Sequence, residues 1–475
     1  MGKNLKFIII LSFTFILSRI YFYFNGLRFD ASTLNWFYQF LDPAILRTNL
    51  LTSLFYLHIQ PPGFNLFVGL VLQFPVDLET TIFSAIYYIM GFSITIILFL
   101  LINELSRMPG LAFVTSLFFS LSPPVILYEN WLFYTYPVTF LLLLSTLFLY
   151  AYLQNRSCTN LFLFFLTLML IAVTRSLYHL LWFVIITLYL FSVEKNKKQV
   201  FITALLPFLV VAGLYTKNYI IFGEPGVSSW FGMNLIKMTT TIPEEKVIPF
   251  IRKGEVSGIS LIPPFRGPDY YRGYANFDSV TLITVLDEKY KSTGFVNFNN
   301  IGYLRVSHVY LKSALYLIRR FPQYYFLSVL KAWYHFLRPC SDRSIFNPEV
   351  RKRLVPWIDI YENYFVGDIL KVLGHRTYQN RYGRIRIIHF NFLFFIIPLL
   401  FLWSFLLSFW PRFQLDLNKN RLITLRYIFF NILYVSVLGN LIETGENMRF
   451  RFLILPGLYI FFALFIKYLI GPRSR

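Results

Sequence analysis

The side chains of this chain that could do chemistry stand at the ends of long apolar runs. Asp30 follows the first run, with Arg28 just before it, and is placed to accept a proton from a bound hydroxyl. Asp42 is the second acid there, but Asp42-Pro43 reads as a turn or helix start. His58-Ile59-Gln60-Pro61-Pro62-Gly63 then returns the chain to an apolar segment. His58 and Gln60 could each donate a hydrogen bond to an anion, and neither carries a permanent charge. Glu129, Arg175, His179, Arg449 and Arg451 hold comparable places at later junctions. Arginine suits bidentate capture of phosphate better than lysine does. Each residue also has a plainer reading. Pro-Pro suits the first turn of any helix, and arginines snorkel to lipid headgroups. Glu443 and Glu446 could simply neutralise Arg449 and Arg451.

The elements that must position these residues are membrane helices. Of 475 residues, 56% are hydrophobic and 14% charged, against about 25% charged in ordinary globular proteins. The reading is an all-α polytopic membrane protein. About ten spans are expected, over residues 7–24, 80–103, 110–127, 131–153, 160–174, 176–193, 200–217, 387–410, 422–441 and 452–470. The first, Phe7 to Phe24, reads as a retained signal-anchor, being long and aromatic with no small-residue cleavage site after it. Segment 63–75 is too short to cross and reads as a re-entrant or interfacial helix. Residues 161–193 as one helix would extend about 50 Å, so they divide into two spans.

Charge sets the orientation. With Lys3 and Lys6 inside, the inner loops hold Arg107, Arg156, the lysines at 195, 197 and 198, Arg412, Lys419, Arg421, Arg473 and Arg475. Asp30, Gln60, Glu129, Arg175, His179, Glu443, Glu446 and Arg449 then share the extracytoplasmic side. Ionisable groups beside spans are costly unless paired or facing water, so a one-sided set points to a functional site. The net charge of +21 is spread over loops beside spans and a long central segment. It serves orientation, anionic headgroups or a phosphorylated lipid and carries no nucleic-acid motif.

The early Asp and the later His-x-Gln-Pro-Pro turn resemble the first outer loop of the GT-C glycosyltransferases. These enzymes use lipid-phosphate sugars and include protein O-mannosyltransferases and the aminoarabinose transferases of lipid A. Lys217-Asn218, Phe222-Gly223 and Ser228-Ser229-Trp230-Phe231-Gly232-Met233-Asn234-Leu235 keep the order of a further string in bacterial members. The resemblance implies transfer of a hexosyl or pentosyl group from a polyprenyl-phosphate donor to a hydroxyl of a glycan, lipid or protein. It makes Asp30 the general base and Glu129 an acid facing the site. Arg28, His58, Gln60, Arg175, His179, Arg449 and Arg451 become the substrate-binding set. It further implies a plasma (inner) membrane location with the site outside the cytoplasm. A single Asp stands where several relatives carry Asp-Glu, and Gln60 stands where they carry Lys or His.

The organisation expected is a transmembrane module over 1–217 with its first outer loop at 25–62, an extracytoplasmic domain over 218–386, and C-terminal spans over 387–475. The outer segment is too long to lack structure. Residues 301–336 read as two helices, the second (Gln323–Leu337) interfacial. No metal-ligand spacing occurs and the histidines are scattered; a divalent cation between a carboxylate and phosphate is compatible with the acids present. Cys158 and Cys340 fall on opposite sides and are not expected to pair. The rival reading is a transporter or flippase of lipid-linked sugars, which would show internal repeats and broken helices near the midplane. A polysaccharide polymerase or ligase is the third.

Overall fold

The computed structural model describes residues 2–341, 346–361, 376–379, 385–388, 391–414 and 417–470. Arg473 and Arg475 lie outside the described residues. Helices dominate, and one antiparallel strand pair, Arg376–Gln379 with Ile385–Ile388, departs from the all-α expectation.

Among the described residues, five helices are long and apolar enough to cross a bilayer: Asn4–Phe24, Val76–Ser106, Thr135–Asn155, Lys197–Phe222 and Lys419–Ile442. Two bent pairs raise the number to seven: Pro109–Ser120 with Pro123–Glu129, and Asn447–Leu453 with Leu455–Ile470. The chain is therefore a multi-pass membrane protein. The other three expected spans fall on Cys158–Ala172, Leu180–Val193 and Leu393–Phe409, of 15, 14 and 17 residues. Each is shorter than the roughly 20 residues that a 30 Å core asks for, so length and composition support five to seven of the ten. The segment after Pro62 forms the nine-residue helix Gly63–Val71, too short to cross.

The turns sort the chain into two ends. At one, Arg107 and Arg156 take left-handed φ angles of 59° and 55° that stop the helices before them, a position glycine usually fills. Arg156 pairs with Glu194, Asn420 Nδ2 donates to the Leu153 carbonyl at 2.6 Å, and Lys419 Nζ donates to that of Val193 at 3.2 Å. This end gathers the cationic loops. The other end gathers the first loop, the 130–134 and 173–179 turns, the segment after Phe222, and the 443–446 turn.

The post-222 segment folds over that second end. Asn218 Nδ2 donates to the Gly226 carbonyl at 2.7 Å, bending the chain back after the left-handed Gly223. Gly232 sits where a Cβ would meet the Ser307 carbonyl at 1.9 Å, so only glycine lets the helix Gly302–Arg320 approach. Lys291 Nζ donates to the Phe37 carbonyl, Ser292 N–H and Oγ both donate to Asp42, and Thr293 donates to the Asn35 carbonyl. Asp42 thereby caps Pro43–Thr48 and fastens the overlying segment. The expected two helices of 301–336 are Gly302–Arg320 and Pro322–Leu337, the second packed on the end of Lys419–Ile442 through Tyr325.

Candidate functional site

Asp30 is held by its backbone. Its N–H donates to the Asn130 carbonyl at 2.8 Å, and its carbonyl accepts from Leu132 N–H at 2.9 Å, forming a parallel bridge with Trp131. Thr33 Oγ1 adds a bond to the Leu132 carbonyl at 2.8 Å. One Asp30 oxygen accepts from Ser32 N–H at 2.9 Å. The other has no hydrogen-bond partner among the described residues, and the residue is 8% exposed. The carboxylate is thus fixed at its root and free at one oxygen.

The 130–134 segment continues to Tyr134, and two arginines meet there. Arg175, in the turn between Cys158–Ala172 and Leu180–Val193, sets its guanidinium carbon 4.7 Å from the Tyr134 ring centre and 5.0 Å from that of Phe450. Arg449 lies 5.5 Å from each of the same rings and 5.1 Å from Phe133, and its Nη1 donates to Tyr134 Oη at 2.8 Å. Arg449 pairs with Glu446 at 3.0 Å. Arg175 makes no ion pair among the described residues, is 5% exposed, and has a buried Nε with no partner. Burial above all lowers its pKa from the usual value; Tyr134 opposes this and the Arg449 charge adds to it. A guanidinium does not give up its proton at such a site. Glu446 pairs with Arg449, and a second acid, Glu443, acts on both arginines while pairing with a lysine; three cations to two acids make a site suited to an anion. The lysine is Lys237, 3.1 Å from Glu443.

The Pro-Pro turn supports Arg175 directly. Gly63 N–H donates to the Val173 carbonyl at 2.6 Å, and a Cβ on Gly63 would meet that oxygen at 2.7 Å and Thr174 Oγ1 at 2.9 Å. Gln60 Oε1 accepts from Ser176 Oγ at 3.4 Å. Gln60 therefore lies beside the Arg175 turn, as a neighbour of the cation.

The remaining predicted residues have other placements. His58 is fully buried, with Nε2 3.0 Å from the Asn299 carbonyl and Nδ1 2.7 Å from Ser229 Oγ. A carbonyl only accepts, so Nε2 carries the proton and Nδ1 accepts from the serine. Both nitrogens are used, and the ring joins the first loop to the overlying segment. Its pKa falls to about 3, chiefly through burial, with the Lys217 charge adding and the Asn299 carbonyl opposing. Arg451 donates to the carbonyls of Phe336 and Arg338, both at 2.6 Å, and ties the 447–453 helix to the end of Pro322–Leu337. Arg28 is exposed and folds back over the Tyr23 ring at 3.6 Å. His179 is exposed at the start of Leu180–Val193.

Glu129 is fully buried behind the loop. Arg19 Nε lies 2.7 Å from its Oε2, and Tyr136 Oη donates to its Oε1 at 3.4 Å. Both oxygens are engaged, and the pair locks the first helix to the segment that leads into Asn130. Sequence reading passed over Arg19, although an arginine inside an apolar run is a signal in its own right. It also passed over Tyr134, which looks like any interfacial aromatic.

Among the described residues no group of three or more His, Cys, Asp or Glu side chains comes together. A small cleft of about 30 Å³, lined in part by Thr139, Thr146 and Asn431, lies between the helices Thr135–Asn155 and Lys419–Ile442. No protein-family model and no curated protein matches the chain. Among solved structures, the archaeal oligosaccharyltransferase AglB from Archaeoglobus fulgidus, in complex with an inhibitory peptide and a dolichol-phosphate, matches over 99% of this chain at 13% identity. Its TM-score of 0.37 is too low to assign the fold, and the chain spans about half, 52%, of that neighbour's length.

Proposed function

We propose that this chain is a membrane glycosyltransferase of the GT-C kind, moving a sugar from a polyprenyl-phosphate donor to an acceptor hydroxyl. The observation that carries the reading is the buried, unpaired Arg175 sharing two aromatic rings with Arg449, beside a loop bridged to Asp30. The free oxygen of Asp30 takes the proton of the acceptor hydroxyl. The acceptor oxygen bonds to the anomeric carbon as the bond from that carbon to the lipid phosphate oxygen breaks. The electron pair leaves on the phosphate, which Arg175 and Arg449 stabilise. Glu129 acts by position, through Arg19, and Gln60 by holding the Arg175 turn.

The cationic loops at 107, 156, 195–198 and 419–421 gather at the end opposite the arginine pair. By the positive-inside rule that end faces the cytoplasm, so the reaction faces outward across the plasma membrane. The test is sugar transfer by the purified chain in lipid nanodiscs, from a defined polyprenyl-phosphate sugar to a soluble hydroxyl acceptor. Product formation with release of polyprenyl phosphate supports the proposal. Movement of intact donor between leaflets without bond cleavage would favour the transporter instead. Parallel reactions with a chelator test whether a divalent cation takes part.

A further inference from the structure

A second cationic feature lies outside this site. Lys312, Arg319 and Arg320 line a cleft of about 570 Å³ on the helix Gly302–Arg320, together with Glu255, Leu315 and Tyr316. Their spacing puts them on one helical face, opposite the buried Val306, Tyr310, Ala314 and Leu317. The Tyr316 hydroxyl donates to the Glu255 carboxylate, so the one acid in the cleft already has a partner. None of the three cations makes an ion pair among the described residues; Arg320 instead lies 5.7 Å from the Phe250 ring.

The setting of the cleft follows from the next helix. Pro322–Leu337 begins two residues after Arg320, and its Tyr325 hydroxyl donates at 2.9 Å to the carbonyl of Leu441, in the last turn of the span Lys419–Ile442. That contact holds the start of Pro322–Leu337 against the end of a candidate span. Beyond it Phe326, Leu327 and Leu330 are 61%, 50% and 49% exposed, as side chains facing acyl chains would be. The cations therefore precede, along the chain, an exposed apolar face joined to the end of a candidate span, the order that a headgroup with its acyl chains would need.

We infer that the Lys312–Arg319–Arg320 cleft seats the phosphate headgroup of an anionic membrane lipid, whose acyl chains lie along Phe326, Leu327 and Leu330. The site is separate from the arginine pair and needs no transferase activity. Basic residues at a bilayer surface attract anionic lipid by about 1 kcal/mol each, roughly fivefold per residue.

The test is phosphatidylglycerol retention by the full chain, measured by native mass spectrometry after exchange into mixed phosphatidylglycerol and phosphatidylcholine. Lys312→Gln/Arg319→Gln/Arg320→Gln is expected to lose at least tenfold of bound phosphatidylglycerol and no phosphatidylcholine. The charge-matched variant Arg252→Gln/Lys253→Gln/Arg272→Gln, altered outside the cleft, is expected to keep it. Equal retention in the cleft variant, equal loss in both variants, or displacement of the lipid by millimolar inorganic phosphate would overturn the inference. If the triple variant does not purify as a folded protein, Lys312→Gln alone decides: about a fivefold loss supports the site, and none refutes it.

Discussion

Arg175 and Arg449 share the Tyr134 ring, at 4.7 and 5.5 Å, although one comes from the 173–179 turn and the other from the distant helix Asn447–Leu453. Removing either cation should weaken binding of a polyprenyl phosphate by at least about tenfold, since charge-assisted bonds to a buried anion are among the strong ones. Arg175→Lys should recover only part of this, because a point charge cannot reproduce the fork of a guanidinium. Equilibrium binding to Arg175→Ala, Arg449→Ala and Arg175→Lys checks both statements.

Glu129 and Arg19 should behave as a buried pair. Glu129→Ala leaves Arg19 uncompensated among apolar neighbours and should cost about 3–5 kcal/mol, whereas Arg19→Met/Glu129→Leu should cost far less. Thermal unfolding in nanodiscs separates the two outcomes. Gly91→Ala should resemble Glu129→Ala, because its Cβ would fall 1.9 Å from Glu129 Oε1.

His58 predicts a pH dependence. Its folded pKa, about 3, lies below the ordinary 6.5, so between those values the unfolded chain binds more protons than the folded one. Stability from the His58 joint is fully present above about pH 6.5 and is lost as pH falls toward 3. In His58→Gln the slope of melting temperature against pH over that window should flatten. An unchanged slope would mean that the ring titrates normally.

Lys291 carries the same logic at higher pH. Burial lowers its pKa from 10.5 to about 7, with Asp42 opposing. Between about pH 7 and 10.5 the unfolded lysine binds the extra proton, so stability rises with pH across that window. Lys291→Met should remove the rise, read from melting temperatures at pH 7 and 9.

The Pro-Pro turn should matter through contact with the Arg175 turn. A Cβ on Gly63 meets the Val173 carbonyl at 2.7 Å, so Gly63→Ala should displace that turn. Donor affinity should fall several-fold, and Arg175→Ala should add little to the change, as expected for coupled residues. Additive losses would show that Gly63 acts elsewhere.

How much of this was legible in the sequence varies residue by residue. Asp30, Arg175 and Arg449 stood out because ionisable groups beside apolar runs are costly, and that argument needs no fold. That segment 63–75 is too short to cross was readable by length alone, and it holds the nine-residue helix Gly63–Val71. His58 and Arg451 looked like anion ligands for the same reason as Arg175, yet they bind carbonyl oxygens. The difference lies in which distant segment folds over them, Asn299 for one and Phe336 for the other, and no local pattern encodes that. Glu129 stands out in the sequence as an acid at the end of an apolar run, and the structure pairs it with an arginine. The partner, Arg19, lies across the bundle. The span count was least legible, since the 173–179 turn that carries Arg175 also leaves its flanking helices short.

The most direct measurement is single-turnover transfer from a polyprenyl-phosphate sugar by wild type and Asp30→Asn, with donor occupancy recorded in the same sample. Asp30→Asn keeps the backbone bridge to Asn130 and Leu132 and removes only the proton acceptor. The predicted result is donor bound as in wild type and transfer slowed by about 10²-fold or more. Transfer at the wild-type rate with Asn at position 30 would contradict the account.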